Sequence, residues 1–263
     1  MAKIEKVVFT LQQMEMRSES APALDSRIAI IVTIFYLVVM LSVSLGRLSM
    51  LIWMALYPVI ASPWLGLSYG RIFRNSLIVL PLVLLIGIFN PIFDRSVAFS
   101  VGGVDISRGW ISCASIVIRG LLAMQAVLIL IATNGFLGIC RGLSRLGVPR
   151  FLTEQLQFVY RYLIILLEEV ITMKQAREAR GYGRSKYPLR MWGAMIGQLF
   201  LRAIDRSERI ARAMEARGFT GRLPEYTSVA DRLSSRDLLF LIFWIIAIAS
   251  MRIWDLSALF IKL

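Results

Sequence analysis

Two short stretches carry side chains whose types and spacing suit recognition chemistry. Residues 176–184 read AREARGYGR and residues 213–222 read AMEARGFTGR, so one chain writes Ala-x-Glu-Ala-Arg-Gly-aromatic twice, 37 residues apart. The first copy holds Glu178, Ala179, Arg180 and Gly181, and the second Glu215, Ala216, Arg217 and Gly218. A guanidinium is a planar fork of donors matched to a carboxylate. The positions four and three before Arg180 are Ala176 and Arg177, and before Arg217 they are Ala213 and Met214. Neither arginine therefore has an acidic partner on its own helical face.

Each copy ends a long helical pattern, and two readings compete. In the first, an arginine in a last turn favours the helix dipole, worth about 0.3 to 1 kcal/mol, and the glycine closes the helix in a left-handed conformation with Tyr182 or Phe219 folded back on the last turn. Capping asks only for the glycine, however, and the copies share alanines, a glutamate, an arginine and an aromatic residue as well. The second reading takes each copy as a slim helix end that carries one guanidinium into an acidic pocket on a partner. Two such plugs imply two similar sockets, and a two-fold or pseudo-two-fold dimer supplies them most simply.

The elements that must hold these ends are apolar. The chain has 263 residues, 57% of them hydrophobic and only 18% charged, with a mean hydropathy of +0.69. That is too much apolar surface for a water-soluble domain. Uncharged runs cover Ile28–Gly46, Leu48–Gly70, Asn75–Phe93 and Gly120–Cys140, each long enough for roughly 30 Å of hydrocarbon. A fifth, Leu238–Met251, reaches that length if it continues past Arg252 to an interfacial Trp254. The expected fold is an all-α integral membrane protein with five transmembrane helices and a cytoplasmic module of long helices. The expected boundaries are 1–140 for the N-terminal segment and four spans, 141–237 for the module, and 238–263 for the last span.

Charge orients the spans. Arg71 and Arg74 are read into one loop, Arg141, Arg145 and Arg150 follow the fourth run, and the loop Asp94–Arg108 is neutral overall. The positive-inside rule then places the N-terminus and the stretch from Arg141 to Arg236 in the cytoplasm. That stretch holds 18 of the 30 basic residues and 9 acidic ones. No helix-turn-helix, zinc or aromatic-basic pattern accompanies the charge, so nucleic acid is not an expected partner; topology and anionic headgroups account for it. The N-terminus lacks the features of a signal peptide, and Val7, Val8, Leu11 and Met14 mark one face of a surface helix.

Within the module, residues 151–180 alternate wet and dry stripes over about 45 Å of helix. Residues 191–201 form a short apolar segment expected to pack on the membrane face or on that helix. Residues 200–217 read as a further helix, with Asp205–Arg209 and Glu208–Arg212 as i,i+4 pairs.

Several chemistries find no residues. There is no G-x-x-x-x-G-K-[ST] phosphate loop and no histidine, and Cys113 and Cys140 lack ligand spacing and read as reduced core residues. The spans contain no carboxylate, against a proton-driven carrier or an intramembrane hydrolase. Arg119, at the head of the fourth run, either snorkels to the external interface or has a role inside the membrane. No catalytic, cofactor-binding or metal-binding residue is expected in this chain.

With these residues in view, the chain resembles the transmembrane T component of energy-coupling-factor transporters, importers related to ABC transporters. The two Ala-Arg-Gly motifs, Ala179–Gly181 and Ala216–Gly218, are that family's signature. LDSR at Leu24–Arg27 resembles its Leu-Asp-Pro-Arg opening with serine for proline. LGVPRFL, YRYLIILLEEV and GQLFLRAIDRSERIARAMEARGFTGR resemble the cobalt and nickel branch most closely. The resemblance implies that the motif helices dock into grooves of two cytoplasmic ABC-type ATPase subunits, which hold ATP and Mg, and that a separate membrane subunit binds the substrate. It implies the plasma membrane of a prokaryote. A vitamin importer of the same type, or a membrane scaffold that recruits a cytoplasmic dimer without transport, is the alternative.

Overall fold

The computed structural model describes residues 24–44, 48–93, 97–101, 104–181, 189–219 and 235–253. The expected N-terminal surface helix and the expected places of Tyr182 and Trp254 lie outside them. In chain order the elements are α1 (Ser26–Leu41), α2 (Leu48–Met54), α3 (Leu56–Trp64), α4 (Tyr69–Ser76), a 3₁₀ turn (Leu77–Val79), α5 (Leu80–Gly87), α6 (Phe89–Phe93), the strands β1 (Val97–Val101) and β2 (Val104–Ser107), α7 (Arg108–Arg145), α8 (Arg150–Arg180), α9 (Leu189–Ala216) and α10 (Ser235–Ile253). They fall into two units, Ser18–Leu146 with Arg232–Leu263, and Met1–Arg17 with Gly147–Asp231.

The first unit is the membrane bundle. Helix α1 lies along α7, α10 packs on α1 and α2, and α4 to α6 line another side of α7. Tyr36, Tyr57 and Trp244 form its centre: Tyr36 and Tyr57 stack with centroids 4.4 Å apart, and Tyr57 meets Trp244 edge to face at 4.8 Å. The Tyr36 hydroxyl donates to the Met54 carbonyl at 3.1 Å, which satisfies a phenol that is otherwise buried. Outward, Ile34, Val38 and Leu41 on α1, Leu82, Leu85 and Ile86 on α5, and Leu239, Phe243 and Ile246 on α10 are exposed. An apolar rind of this extent on an apolar core belongs in lipid. Cys113 and Cys140 are free and buried, as expected.

The helix limits differ from the hydropathy limits for local reasons. Among the described residues, Tyr69–Pro91 and Gly109–Arg145 are the stretches long and apolar enough to cross a membrane, and Ser26–Leu41 and Ser49–Trp64 are shorter apolar helices. The second run stops at Trp64 rather than Gly70. Gly66 takes φ +69°, the Leu67 N–H returns to the Ser62 carbonyl at 2.8 Å, and the Gly66 N–H returns to Pro63 at 3.0 Å, so the helix is closed by a Schellman turn. Helix α4 begins immediately after. Arg71 and Arg74, read as loop residues, therefore stand exposed on α4, Arg74 in its last turn, and the Arg71 Nε donates to the Ser68 hydroxyl. The neutral loop after the third run contains an antiparallel hairpin, β1 with β2, closed by the pair Val101 and Val104. It is a small addition to a helical fold.

The fourth run is the middle of a much longer helix. Helix α7 has 38 residues and breaks at Gly135, where φ is +62° and ψ 174°, a conformation open to glycine. Beside the break, the buried Asn134 accepts a hydrogen bond from the Ser26 hydroxyl at 3.0 Å and donates to Thr133 Oγ1 at 2.9 Å. Gly138 and Gly142, one turn and two turns on, let α1 come close: a Cβ on Gly142 would lie 2.8 Å from Ile30 Cδ1 and 2.9 Å from Ser26 Cβ. This is small-residue packing of the kind membrane helices use. Arg119 of α7 donates to the Val43 carbonyl just beyond the end of α1, so it ties the two helices together.

The second unit contains α8 and α9. Helix α9 runs unbroken for 28 residues, where a short apolar segment and a separate helix were expected; no proline interrupts residues 189–216, and Gly193 and Gly197 are accommodated in the helix. Its Trp192, Ile196, Phe200 and Ile204 are exposed. The Glu208–Arg212 pair forms at 2.8 Å, whereas Asp205 and Arg209 make no ion pair among the described residues.

Candidate partner-docking site

The two arginine motifs sit where the helical patterns put them, at the ends of α8 and α9. Ala179, Arg180, Glu215, Ala216, Arg217 and Gly218 are exposed, and Glu178 and Gly181 are half-buried. Ala176 and Ala213 are exposed as well, so both flanks are slim. Among the described residues neither the Arg180 nor the Arg217 guanidinium makes a hydrogen bond or an ion pair. Each is a charged fork at a helix end.

The backbones beneath them are not alike. In the second copy Gly218 has φ +79°, its N–H returns to Glu215 at 2.9 Å, and the Phe219 N–H returns to Met214 at 2.9 Å. These are the two bonds of a Schellman turn, and the aromatic residue lies back against its helix through its own main chain. The first copy contradicts the expected left-handed glycine: Gly181 has φ −90° and ψ 5°, and its N–H is shared between Arg177 at 3.0 Å and Glu178 at 3.2 Å. The helix there tightens through a bifurcated bond instead of reversing hand. The glutamates differ too. Glu178 lies 3.7 Å from Lys174, one turn earlier, whereas the residue one turn before Glu215 is Ala211.

A clamp upstream was not foreseen from the sequence. Glu169 of α8 accepts from Arg202 at 2.9 Å and from Arg206 at 3.2 Å, both on α9. Its side chain is 16% exposed, so the forked pair is partly shielded from water. No helical spacing signals it: Glu169 lies 33 and 37 residues from its partners, and Asp205, three residues after Arg202, offers that arginine a nearer acid. The structure thus brings α8 and α9 together at Glu169, and each helix continues from the clamp to its own motif.

Residues 17–229, which include both motifs and the Leu24–Arg27 opening, match the family of the cobalt transport protein CbiQ. The chain belongs to the CbiQ family. Among similar proteins, the cobalt transport protein CbiQ of Salmonella typhimurium is 29% identical over 149 residues, 52% of this chain and 66% of that protein. The nickel permease LarQ of Lactiplantibacillus plantarum is 32% identical over 120 residues, 44% of this chain and 43% of that one. The energy-coupling factor transporter transmembrane protein EcfT of Leuconostoc gelidum is 28% identical over 214 residues, 74% of this chain and 78% of its own length. The match to LarQ thus spans less than half of that relative, and the match to the Salmonella CbiQ just under two thirds. As a CbiQ-family protein the chain is a helical membrane component, and the paired motifs fall inside the region it shares with the family.

Proposed function

We propose that this chain is the transmembrane coupling subunit of an ATP-driven, energy-coupling-factor importer, and that cobalt or nickel is its cargo. In this reading the ends of α8 and α9 dock into two cytoplasmic ABC-type ATPase subunits, which carry ATP and Mg, and a separate membrane subunit binds the metal. The chain itself has no catalytic role. The observation that carries the reading is the pair of exposed guanidiniums at matched helix ends, neither of them paired among the described residues. An arginine that only favours the helix dipole would be exposed too; what that role does not require is the repeat of Ala, Glu, Ala, Arg, Gly and an aromatic residue at both ends. Family membership and the cobalt and nickel transporters among the relatives support the cargo. Family membership supports a prokaryotic plasma membrane, and the charge pattern supports an N-terminus on the inside.

Mechanically, closure of the ATPase pair on ATP draws the two docked helix ends together, the spans shift, and the substrate subunit turns its site toward the cytoplasm. The EcfT relative, matched over more of its length than the metal transporters named above, supports the coupling role without naming a cargo, and a vitamin importer of the same type is the second reading. Reconstituting the complex and measuring ATP-dependent uptake of cobalt, nickel and a vitamin panel decides between them. Uptake of none, with the ATPases still bound, would leave a scaffold and overturn the transport reading.

A further inference from the structure

Helix α7 breaks where its sequence does not oblige it to. Residues 108–145 contain no proline, and Gly120, Gly138 and Gly142 keep helical angles, yet Gly135 takes φ +62° and ψ 174°. Glycine is equally free to take right-handed angles, so the same residues are compatible with an unbroken helix. A conformation of this kind persists where its surroundings fix it. Here the surroundings are polar and buried. Asn134 accepts from the Ser26 hydroxyl at 3.0 Å and donates to Thr133 Oγ1 at 2.9 Å, and Thr133 shares its own proton between the Ile129 and Leu130 carbonyls at 2.9 and 3.1 Å. Thr133, Asn134 and Gly135 are all buried. Both halves of α7 are held to α1, at opposite ends of it. Before the break, Arg119 donates to the Val43 carbonyl beyond the end of α1. Beyond it, an added Cβ on Gly138 would lie 3.3 Å from Ser26 Oγ, and one on Gly142 2.8 Å from Ile30 Cδ1, near the start of α1. Helix α1 is itself fixed to the bundle, because the Tyr36 hydroxyl donates to the Met54 carbonyl at 3.1 Å, the acceptor that Pro58, four residues on and without an N–H, leaves free.

We propose that Gly135 is a two-state hinge in α7 and that the Ser26–Asn134 hydrogen bond is the latch that holds it broken. In one state Gly135 has positive φ and the latch is closed. In the other it takes helical angles, the backbone ladder runs through, and Asn134 leaves Ser26. Residues 136–145, about 15 Å of helix, are the arm that moves, and residues 146–149 join that arm to α8. The hinge rests on the backbone at Gly135 and on its latch, so it stands or falls without the transport reading.

The test uses the full-length chain in lipid nanodiscs, with Cys113 and Cys140 replaced by alanine and spin labels attached at Trp110→Cys and Leu146→Cys, two exposed positions on opposite sides of the break. An unbroken helix sets those positions about 54 Å apart. In pulsed electron resonance Gly135→Ala, which cannot hold the observed angles, should show that distance, whereas the unaltered glycine shows mainly a different one. Ser26→Ala keeps the glycine and opens the latch, and it should raise the population at the unbroken distance about fivefold. Ser250→Ala, on α10 and bonded to the Ala247 carbonyl of its own helix, should leave the distribution unchanged. An unchanged distance in Gly135→Ala would mean that no second state exists, and an unchanged distribution in Ser26→Ala that there is no latch; either overturns the proposal. A shift in Ser250→Ala equal to that in Ser26→Ala would assign the change to general loosening and overturn it as well. Should Gly135→Ala fail to insert, Ser26→Ala decides alone.

Discussion

The end of α8 and the end of α9 present nearly the same residues on different backbones. At Gly218 the chain turns into the left-handed region and two return bonds seal the helix; at Gly181 it stays right-handed and one N–H serves two carbonyls. The shared glycine therefore does not mean a shared turn. What the two ends have in common is an exposed arginine beside exposed alanines. A requirement for a particular closure would have produced the same φ twice, whereas a requirement for slimness beside a guanidinium is met by glycine in either conformation.

That contrast can be broken or sharpened in steps. The largest effect is expected from the arginines themselves. If each arginine docks as proposed, Arg180→Ala or Arg217→Ala should leave a carboxylate of the partner unpaired, a loss of about 2 to 5 kcal/mol of binding. The penalties should add in the double variant, since the sites are separate, and release the ATPases. Arg177→Ala and Arg212→Ala should cost much less. Recovery of the ATPases by pull-down, with membrane insertion verified, measures this; undiminished recovery and uptake with the double variant would sink the docking assignment and return both arginines to the role of dipole partners.

Next in size is the clamp the two ends share. Glu169→Gln removes the charge that both Arg202 and Arg206 bind, at a cost of about 1.5 to 3 kcal/mol. Because the clamp serves both helices, hydrogen exchange should rise together at residues 176–181 and 213–219. A rise at one end alone would show that the ends are held independently.

The glycines come third, and here the copies should part. Gly218→Ala forces a side chain into the left-handed region and should lower stability by about 1 to 2 kcal/mol. Gly181→Ala meets no such barrier; its Cβ would lie 3.3 Å from the Arg177 carbonyl oxygen, a contact that small movement relieves. Thermal unfolding of the two variants in detergent should therefore show a clear drop for the first and little change for the second. Equal drops would mean that Gly181 also reaches the left-handed form in solution. The smallest effect belongs to Lys174→Ala, which frees Glu178 and should cost about 0.3 to 0.5 kcal/mol, with no counterpart in the second copy.

Much of the architecture was legible because it rests on periodicity and charge. The long helix ending at Arg180, the apolar runs behind α1, α5 and α7, the free buried cysteines and the helix-end position of both motifs all follow from residue type and spacing. The remainder depends on where a backbone chooses between allowed conformations. Gly66 reverses a helix that hydropathy carries on to Gly70, Gly135 breaks one that hydropathy runs straight through, and Gly181 does not reverse at all. These three glycines look the same in the chain, and tertiary surroundings separate them. The Glu169 clamp was missed for another reason: its residues are 33 and 37 apart, beyond any helical period.

The serine in LDSR has a consequence for how this family varies. Ser26 occupies the first position of α1, where proline is favoured because its missing N–H is not needed there, yet its hydroxyl is one of the two partners of the buried Asn134 amide, 108 residues away. Proline at 26 would suit α1 and orphan the Asn134 oxygen, at a cost of about 1 to 3 kcal/mol. The two positions should accordingly covary: relatives that open with Leu-Asp-Pro-Arg should carry a small or apolar residue opposite it, and in this chain Ser26→Pro should be rescued by Asn134→Leu, which alone leaves only a hydroxyl to satisfy.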